Sequence, residues 1–368
     1  MDISLNQPTP AKSFWRTWRR EIIRGGVLFG LVLGAGLFIR NVKRNIHMPS
    51  PLGALGAFGD FNWGDGEGGD LFGRGRETGD EWEYAALITP SQHVWIKNTN
   101  GPIEVVAGHS DSLYVHAEKS WRHSDPQSVQ LIPVLTERGL TICAMWEARE
   151  MRCQEGGDYR LNGVKKNDVA VRITVELPRN VPINVGTVNG GLEIDGVSAP
   201  VEASTVNGRI AVNTSAGPVQ ASTINGSIEA NMQSLTSGDV RLTTVNGSVS
   251  AGLPRQINAN IDAETVNGRV ETDFKVMIQG KISTRHLRGT IGTGGATLKL
   301  VTVNGSITLH EAGPSAMHPP EMPEAAMRAA RAAARAAACA QAGQDRQACE
   351  RRPTRAPVAA EAPQPPKP

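Results

Sequence analysis

Aromatic side chains are scarce: Phe, Trp and Tyr make up 5% of the 368 residues. That excludes a large core built on rings. The apolar content falls instead on Val, Ile, Leu and Ala, which suit short strands and tight packing. Excess charge of one sign is lacking too. The formal net charge is +2, and no basic stripe interleaved with aromatics occurs, so nucleic acid is not an expected partner. Cysteine is limited to Cys143, Cys153, Cys339 and Cys349. None has the C-x-x-C spacing or the histidine partners of a zinc site, and no metal is expected. His109, His116 and His123 follow one another at seven residues, a spacing that alternates faces on a strand and does not converge on a ligand. Phosphate loops, dinucleotide fingerprints and Ser-His-Asp arrangements are absent as well. The chain is expected to need no cofactor, to hold no catalytic residues and not to be an enzyme.

Long hydrophobic runs are also few. The uncharged run Gly25 to Ile39 is preceded by Trp15 and Trp18, in the place that interfacial indoles favour. It is short for a span, but Ile22, Ile23 and Val42 flank it, and Arg24 and Arg40 can snorkel. No small-x-small cleavage site follows, so an uncleaved anchor is preferred to a signal peptide. Five basic residues precede the run and three follow it, which keeps the N-terminus cytoplasmic and sends the body to the periplasm or outside. The four cysteines agree with that compartment. They form two local pairs ten residues apart, Cys143 with Cys153 and Cys339 with Cys349, both candidate disulfides.

The expected organisation is a cytoplasmic basic segment (1–24), a transmembrane anchor (25–42) and a Gly-rich flexible linker (43–85). A β-strand part (86–182) and a repeat region (183–312) follow. An Ala/Arg-rich helical segment (313–352) and a Pro-rich disordered tail (353–368) close the chain. Pro323 and Glu324 suit the start of that helix and Gly343 its stop, with Arg328, Arg331 and Arg335 on one face.

The strongest signal is internal repetition. Asn-Gly recurs at Asn189-Gly190, Asn207-Gly208, Asn225-Gly226, Asn246-Gly247, Asn267-Gly268 and Asn304-Gly305, each time within "TVNG" or "TING". The intervals are 18, 18, 21, 21 and 37 residues. In the long interval Arg288-Gly289 of "HLRG" stands where Asn-Gly is expected, making seven turns in series. An earlier copy, "NTNGPIEV", lies at Asn100-Gly101. Before each turn apolar residues alternate with polar ones, as in Val201, Ala203 and Thr205, the mark of a strand with one buried face.

Two geometries satisfy this pattern. Asn-Gly could close an antiparallel hairpin in a type I′ turn, giving a meander. Alternatively it turns the corner between strands of one coil in a parallel β-helix, with both residues accepting unusual φ. Stacked coils set each residue against its own copy at about 4.8 Å, so equivalent Asn side chains could exchange amide hydrogen bonds. Identity between copies favours an all-β, single-stranded parallel solenoid of about seven coils. On that reading "HLRG" interrupts the Asn ladder.

With "TVNG", "TING", "LPRNVPINVGTVNGG" and "NTNGPIEVVAG" quoted, the chain resembles the bacterial putative-adhesin domain family of unknown function over about Leu87 to Ala312. The resemblance implies a β-solenoid in a cell-envelope setting without known catalysis.

Solenoid enzymes that cleave acidic polysaccharides carry carboxylates on adjacent coils. The position beyond each turn reads Glu193, Ala211, Glu229, Ser250, Glu271, Gly292 and Thr308. Acids on alternate coils would stand about 10 Å apart, too sparse for a glycosidase pair. The expected function is therefore a membrane-anchored, non-enzymatic envelope module with an adhesin role, its ligand an envelope polymer or protein. The alternatives are an envelope-stress sensor or scaffold for another membrane protein, and, behind both, a polysaccharide-active enzyme.

Overall fold

The computed structural model describes residues 75–312, apart from 109–110, 165, 236–237 and 279–282. The expected anchor, the Ala/Arg-rich helix, the tail and the Cys339–Cys349 pair lie outside the described residues. Among those residues no helix is long and apolar enough to cross a membrane.

Each repeat folds as one coil of two strands. Val201–Ser204 leads into the corner at Asn207-Gly208, and Ile210–Thr214 leaves it. Val219–Ser222 with Ile228–Met232, and Val240–Thr243 with Val249–Leu253, repeat the pattern. Successive coils pair in parallel, as a β-helix requires and a meander of hairpins forbids. Strands before the corners build an 11-stranded sheet, and strands after them a 10-stranded sheet. We call these the pre-corner and post-corner sheets.

The alternation in the sequence sends Val201, Ala203, Ile210 and Val212 inward, each at most 2% exposed. Each such Val or Ile contributes about 1.5–3 kcal/mol relative to exposure. Small side chains are needed because the two sheets close on each other over a narrow interior.

Each motif residue has its own task at the corner. The Thr hydroxyl is buried and donates to the Gly carbonyl of the neighbouring coil: Thr205 to Gly190 at 3.1 Å, Thr223 to Gly208 at 3.1 Å, Thr244 to Gly226 at 2.9 Å. The Asn amides form a ladder, with Asn207 donating to Asn189, Asn225 to Asn207 and Asn246 to Asn225, each at 2.8 Å. The preceding Val188, Val206, Ile224, Val245, Val266 and Val303 are half-buried along the corner's edge. Asn does not take an unusual φ as expected: the one non-glycine residue with positive φ among those described is Asp80. The glycine is required by contact and, at Gly101, Gly226, Gly247 and Gly305, by positive φ as expected. A Cβ on Gly208 would stand 2.0 Å from the Gly190 carbonyl oxygen, and one on Gly226 the same distance from that of Gly208.

Thr223→Val keeps the shape but strips the hydroxyl from a buried carbonyl. We expect a loss of about 1–2 kcal/mol in urea unfolding. Thr243→Val, half-buried on the outer face, should change stability by less than about 0.5 kcal/mol. Equal effects would refute the role given to the corner hydroxyl.

The stack does not follow chain order at either end. The coil of Ala296–Asn304 and Ile307–Glu311 inserts between the Asn246 coil and that of Ala259–Asn267 and Val270–Thr272. At the other end the coil of His93–Lys97 and Ile103–Gly108 is held between two later coils. One consists of Ile183–Gly186 and Leu192–Val197, the other of Gly139–Trp146 and Ala170–Pro178. Antiparallel strands cover the outermost coils: Ser112–Trp121 and then Glu77–Leu87 on one sheet, Val129–Thr136 and His286–Ile291 on the other. Such caps remove most of the open sheet edge.

Two expectations are corrected here. Arg288-Gly289 is no corner. It lies in the antiparallel capping strand, where Arg288 pairs in register with Asp262 and bonds it at 3.1 Å. The Asn ladder is therefore unbroken: Asn304 donates to Asn246 at 2.7 Å and Asn267 to Asn304 at 2.8 Å. The seven corners along the stack are those of Asn100, Asn189, Asn207, Asn225, Asn246, Asn304 and Asn267. Strand Glu77–Leu87 also begins inside the stretch expected to be linker. Its charges and Gly79 conceal the alternation, and its pairing with Ser112–Trp121 creates it.

Candidate functional site

Outward positions of the post-corner sheet form a row that crosses every strand. It runs Glu83, His116, Thr174, Glu104, Glu193, Ala211, Glu229, Ser250, Thr308, Glu271. A second row beside it holds Glu176, Val106, Asp195, Asn213, Asn231, Gly252 and His310. The face carries Glu83, Glu104, Glu118, Glu176, Glu193, Asp195, Glu229 and Glu271 against Arg172, Arg209 and Arg269. Acid outweighs base on a chain whose net charge is slightly positive.

Some of this charge is matched locally. Arg172 meets Glu104 at 3.2 Å, Arg269 meets Glu271 at 3.5 Å, and Arg209 bonds Glu229. Asp195 accepts the Asn213 amide at 2.7 Å. Glu193 has no ion pair among the described residues. Partial burial and the neighbouring Glu104 push its carboxyl up.

The expected acid stripe is thus corrected in two places. Gly292 is not part of it, because its segment caps the stack. Glu104 stands one strand from Glu193, so acids do meet on adjacent coils. The signal was present in the sequence: Glu104 lies four residues after Asn100, as Glu193 lies four after Asn189.

A second feature sits on the outer side of the pre-corner sheet. Where the outermost coil should have an Asn-Gly corner, the chain inserts a hairpin of Ala148–Gln154 and Asp158–Val164. The hairpin folds back over the sheet. Tyr159 donates to the Ala144 carbonyl at 2.9 Å and meets the Thr99 hydroxyl at 2.6 Å. Gly157, at φ +73, brings the hairpin so close that a Cβ there would lie 2.6 Å from Trp95 Cδ1 and 3.1 Å from Lys97 Cε. Cys153 on the hairpin is bonded to Cys143 on the sheet, as the local pairing suggested.

Beneath this cover Lys97 is 1% exposed. Its ammonium donates to Asn184 Oδ1 at 2.6 Å, and the Asn184 amide donates to Glu202 at 2.7 Å. Burial lowers the Lys97 pKa to about 8, opposed by the charge of Glu202. His93, stacked on Trp95 at 4.5 Å between ring centres, is lowered by burial and by Lys97. Reducing the disulfide should speed hydrogen exchange in 148–164 while the central coils keep their protection, because the hairpin adds no rung to the stack. Exchange that rises equally throughout would show that the hairpin is integral to the body.

His116 lies beside Glu83 and His123 beside Asp168, each at 3.8 Å. No cluster of three or more His, Cys, Asp or Glu able to hold a metal ion occurs among the described residues.

Stacked Asn-Gly corners joining two parallel sheets define the protein as a two-sheeted β-solenoid. Residues 157–310 match the family model Toastrack DUF4097, a domain family of unknown function. The comparison with curated proteins returns no match. Among solved structures the chain is similar to a putative cell adhesion protein from Clostridium sporogenes, at 10% identity and TM-score 0.36, over 63% of this chain and 99% of that one. It is similar to a putative adhesin from Bacteroides fragilis at 10% identity and TM-score 0.31, over 63% and 96%. It is also similar to a putative lipid binding protein from Parabacteroides distasonis at 12% identity and TM-score 0.27, over 64% and 98%.

Proposed function

We propose that this protein is a membrane-anchored, non-enzymatic module of the bacterial cell envelope that acts by binding, in the manner of an adhesin, through the acidic face of its post-corner sheet. The N-terminal run around Gly25 to Ile39 would supply the anchor, with the solenoid on the periplasmic or outer side. The observation that carries the reading is the row of outward positions held in register across the strands, in which Glu83, Glu104, Glu193, Glu229 and Glu271 are carboxylates. A regular flat array of like charge suits an extended, cationic or hydrogen-bonding polymer or protein surface. The Cys143–Cys153 disulfide supports an oxidising compartment. The test is a binding screen of the full chain in detergent against cell-wall fragments, glycans and cationic envelope proteins. Binding should weaken with salt and with Glu193→Lys plus Glu229→Lys. Binding that ignores both changes would overturn the role of this face.

One observation favours a second reading, a polysaccharide-active enzyme. Glu104 and Glu193 occupy neighbouring strands about 4.8 Å apart, close to the separation of a retaining glycosidase pair, and partial burial with the Glu104 charge raises the Glu193 carboxyl, as a general acid needs. Release of reducing ends from acidic or neutral polysaccharides, lost in Glu193→Gln and retained in Glu229→Gln, would establish it. No release from any polymer in the panel would sink it.

A further inference from the structure

We infer that the acidic face has an occupant within the same chain: the arginine-bearing segment 323–343, which would lie along the post-corner sheet and compete with outside partners. The inference rests on the binding role given to that face above.

Charge is divided along the chain in the required sense. Residues 75–312 hold 21 Lys and Arg against 25 Asp and Glu, and residues 313–368 hold eight against five. The body is acidic and the segment after it is basic.

The point of departure also suits. The last strand, Ile307–Glu311, belongs to the post-corner sheet itself, and the Ala312 amide bonds the Leu253 carbonyl in the neighbouring strand at 2.8 Å. The following chain leaves one strand away from Glu271. Between Ala312 and Arg328 lie 15 residues, which reach up to about 50 Å when extended. The row from Glu271 to Glu104 spans about 29 Å at the usual strand spacing, so all of it is within range.

Spacing gives the sharper argument. The sequence predicts a helix over 323–343, outside the described residues, with Arg328, Arg331 and Arg335 on one face. Arg328 and Arg335 would then be about 10.5 Å apart at 1.5 Å per residue. Glu229 and Glu193 are two strands apart in register, about 10 Å. Arg331 would fall between them, over Ala211, beside Asp195 and the unpaired Glu193. The alanines that fill the rest of the segment let its backbone lie close to a sheet surface whose own residues there, Ala211, Ser250 and Gly252, are small.

Limited trypsin digestion of the full chain in detergent micelles tests this. Arg328, Arg331 and Arg335 should be cut at least about tenfold more slowly at low ionic strength than in 0.5 M salt, the ratio expected of a contact held by several partly screened charges. The double variant Glu193→Lys with Glu229→Lys should be cut at the fast rate in both conditions. Glu264→Lys, on the outer face of the other sheet, should keep the protection, and circular dichroism should confirm the β-fold in each variant. Equal rates in the wild type and the double variant would overturn the inference, as would protection that survives charge reversal. The two proposals separate cleanly. Protected arginines, with no ligand found even for a variant carrying Arg328→Gln, Arg331→Gln and Arg335→Gln, would uphold the intramolecular contact and defeat the binding role. Ligand bound at the face while the arginines are cut freely would do the opposite.

Discussion

Gly226→Ala should destabilise the solenoid by about 3 kcal/mol or more, beyond the usual range for an added methyl group. The Cβ would stand 2.0 Å from the Gly208 carbonyl oxygen and 2.5 Å from its carbon. That carbonyl cannot withdraw, because the adjoining backbone is bonded into the stack: the Gly208 amide donates to Asn225 and the Gly226 amide to Asn246, both at 2.9 Å. The same oxygen accepts the Thr223 hydroxyl. A shift that relieves the clash must therefore break bonds in two coils. Gly191→Ala is the matched control, since its Cβ would meet nothing nearer than the Arg209 oxygen at 3.5 Å. Urea midpoints measure both, and values within about 0.5 kcal/mol of each other would show that stacking does not require glycine at the corner.

The second large effect concerns pH. Lys97 holds its proton only up to about pH 8 in the folded protein, whereas an unfolded lysine holds it to about 10.4. Between these values the unfolded chain binds more protons, so stability rises with pH. Below about pH 8 the cost of the buried charge is fully present, of order 3 kcal/mol. Urea unfolding followed from pH 7 to 9, below the range in which the raised Tyr84, Tyr114 and Tyr159 oppose it, should show this upward slope in the native chain. Lys97→Met should flatten it, and at pH 7 it also removes the donor to Asn184, so its net stability change there is smaller than the charge cost alone. An identical slope in both proteins would mean that Lys97 is not the group responsible.

These two residues differ in how far the sequence exposes their role. Gly226 was legible as a corner from its period and its place after Val-x-Ala-x-Thr. The reason for glycine was legible in part: the sequence suggested φ, which is +155° at Gly226, and the structure adds a neighbouring carbonyl. Lys97 was hidden. In "HVWIK" it reads as a solvent-facing position of an alternating strand, and only the hairpin 148–164, more than 50 residues later, buries it.

The ends of the stack show the same limit. Counting intervals put "HLRG" at a corner, because a Gly at about the right spacing is all that a local pattern can see. Either the Asn267 coil or the Asn304 coil could stack on that of Asn246, since all three copies present the same Thr, Asn and Gly edges. Near-identical repeats make neighbours interchangeable, and the order of coils is then set by caps and connections. The adjacency of Glu104 and Glu193 follows from that order.

The sequence by itself determined the parallel coil, its corners, the inward Val and Ala, and the local cysteine pair Cys143–Cys153. Each depends on residues within one repeat or a short span, where alternation and turn chemistry act directly. Only the tertiary structure decided which coils touch, what the hairpin covers, and where the carboxylates gather. Those are contacts between segments whose local patterns are satisfied either way, and long-range packing alone distinguishes them.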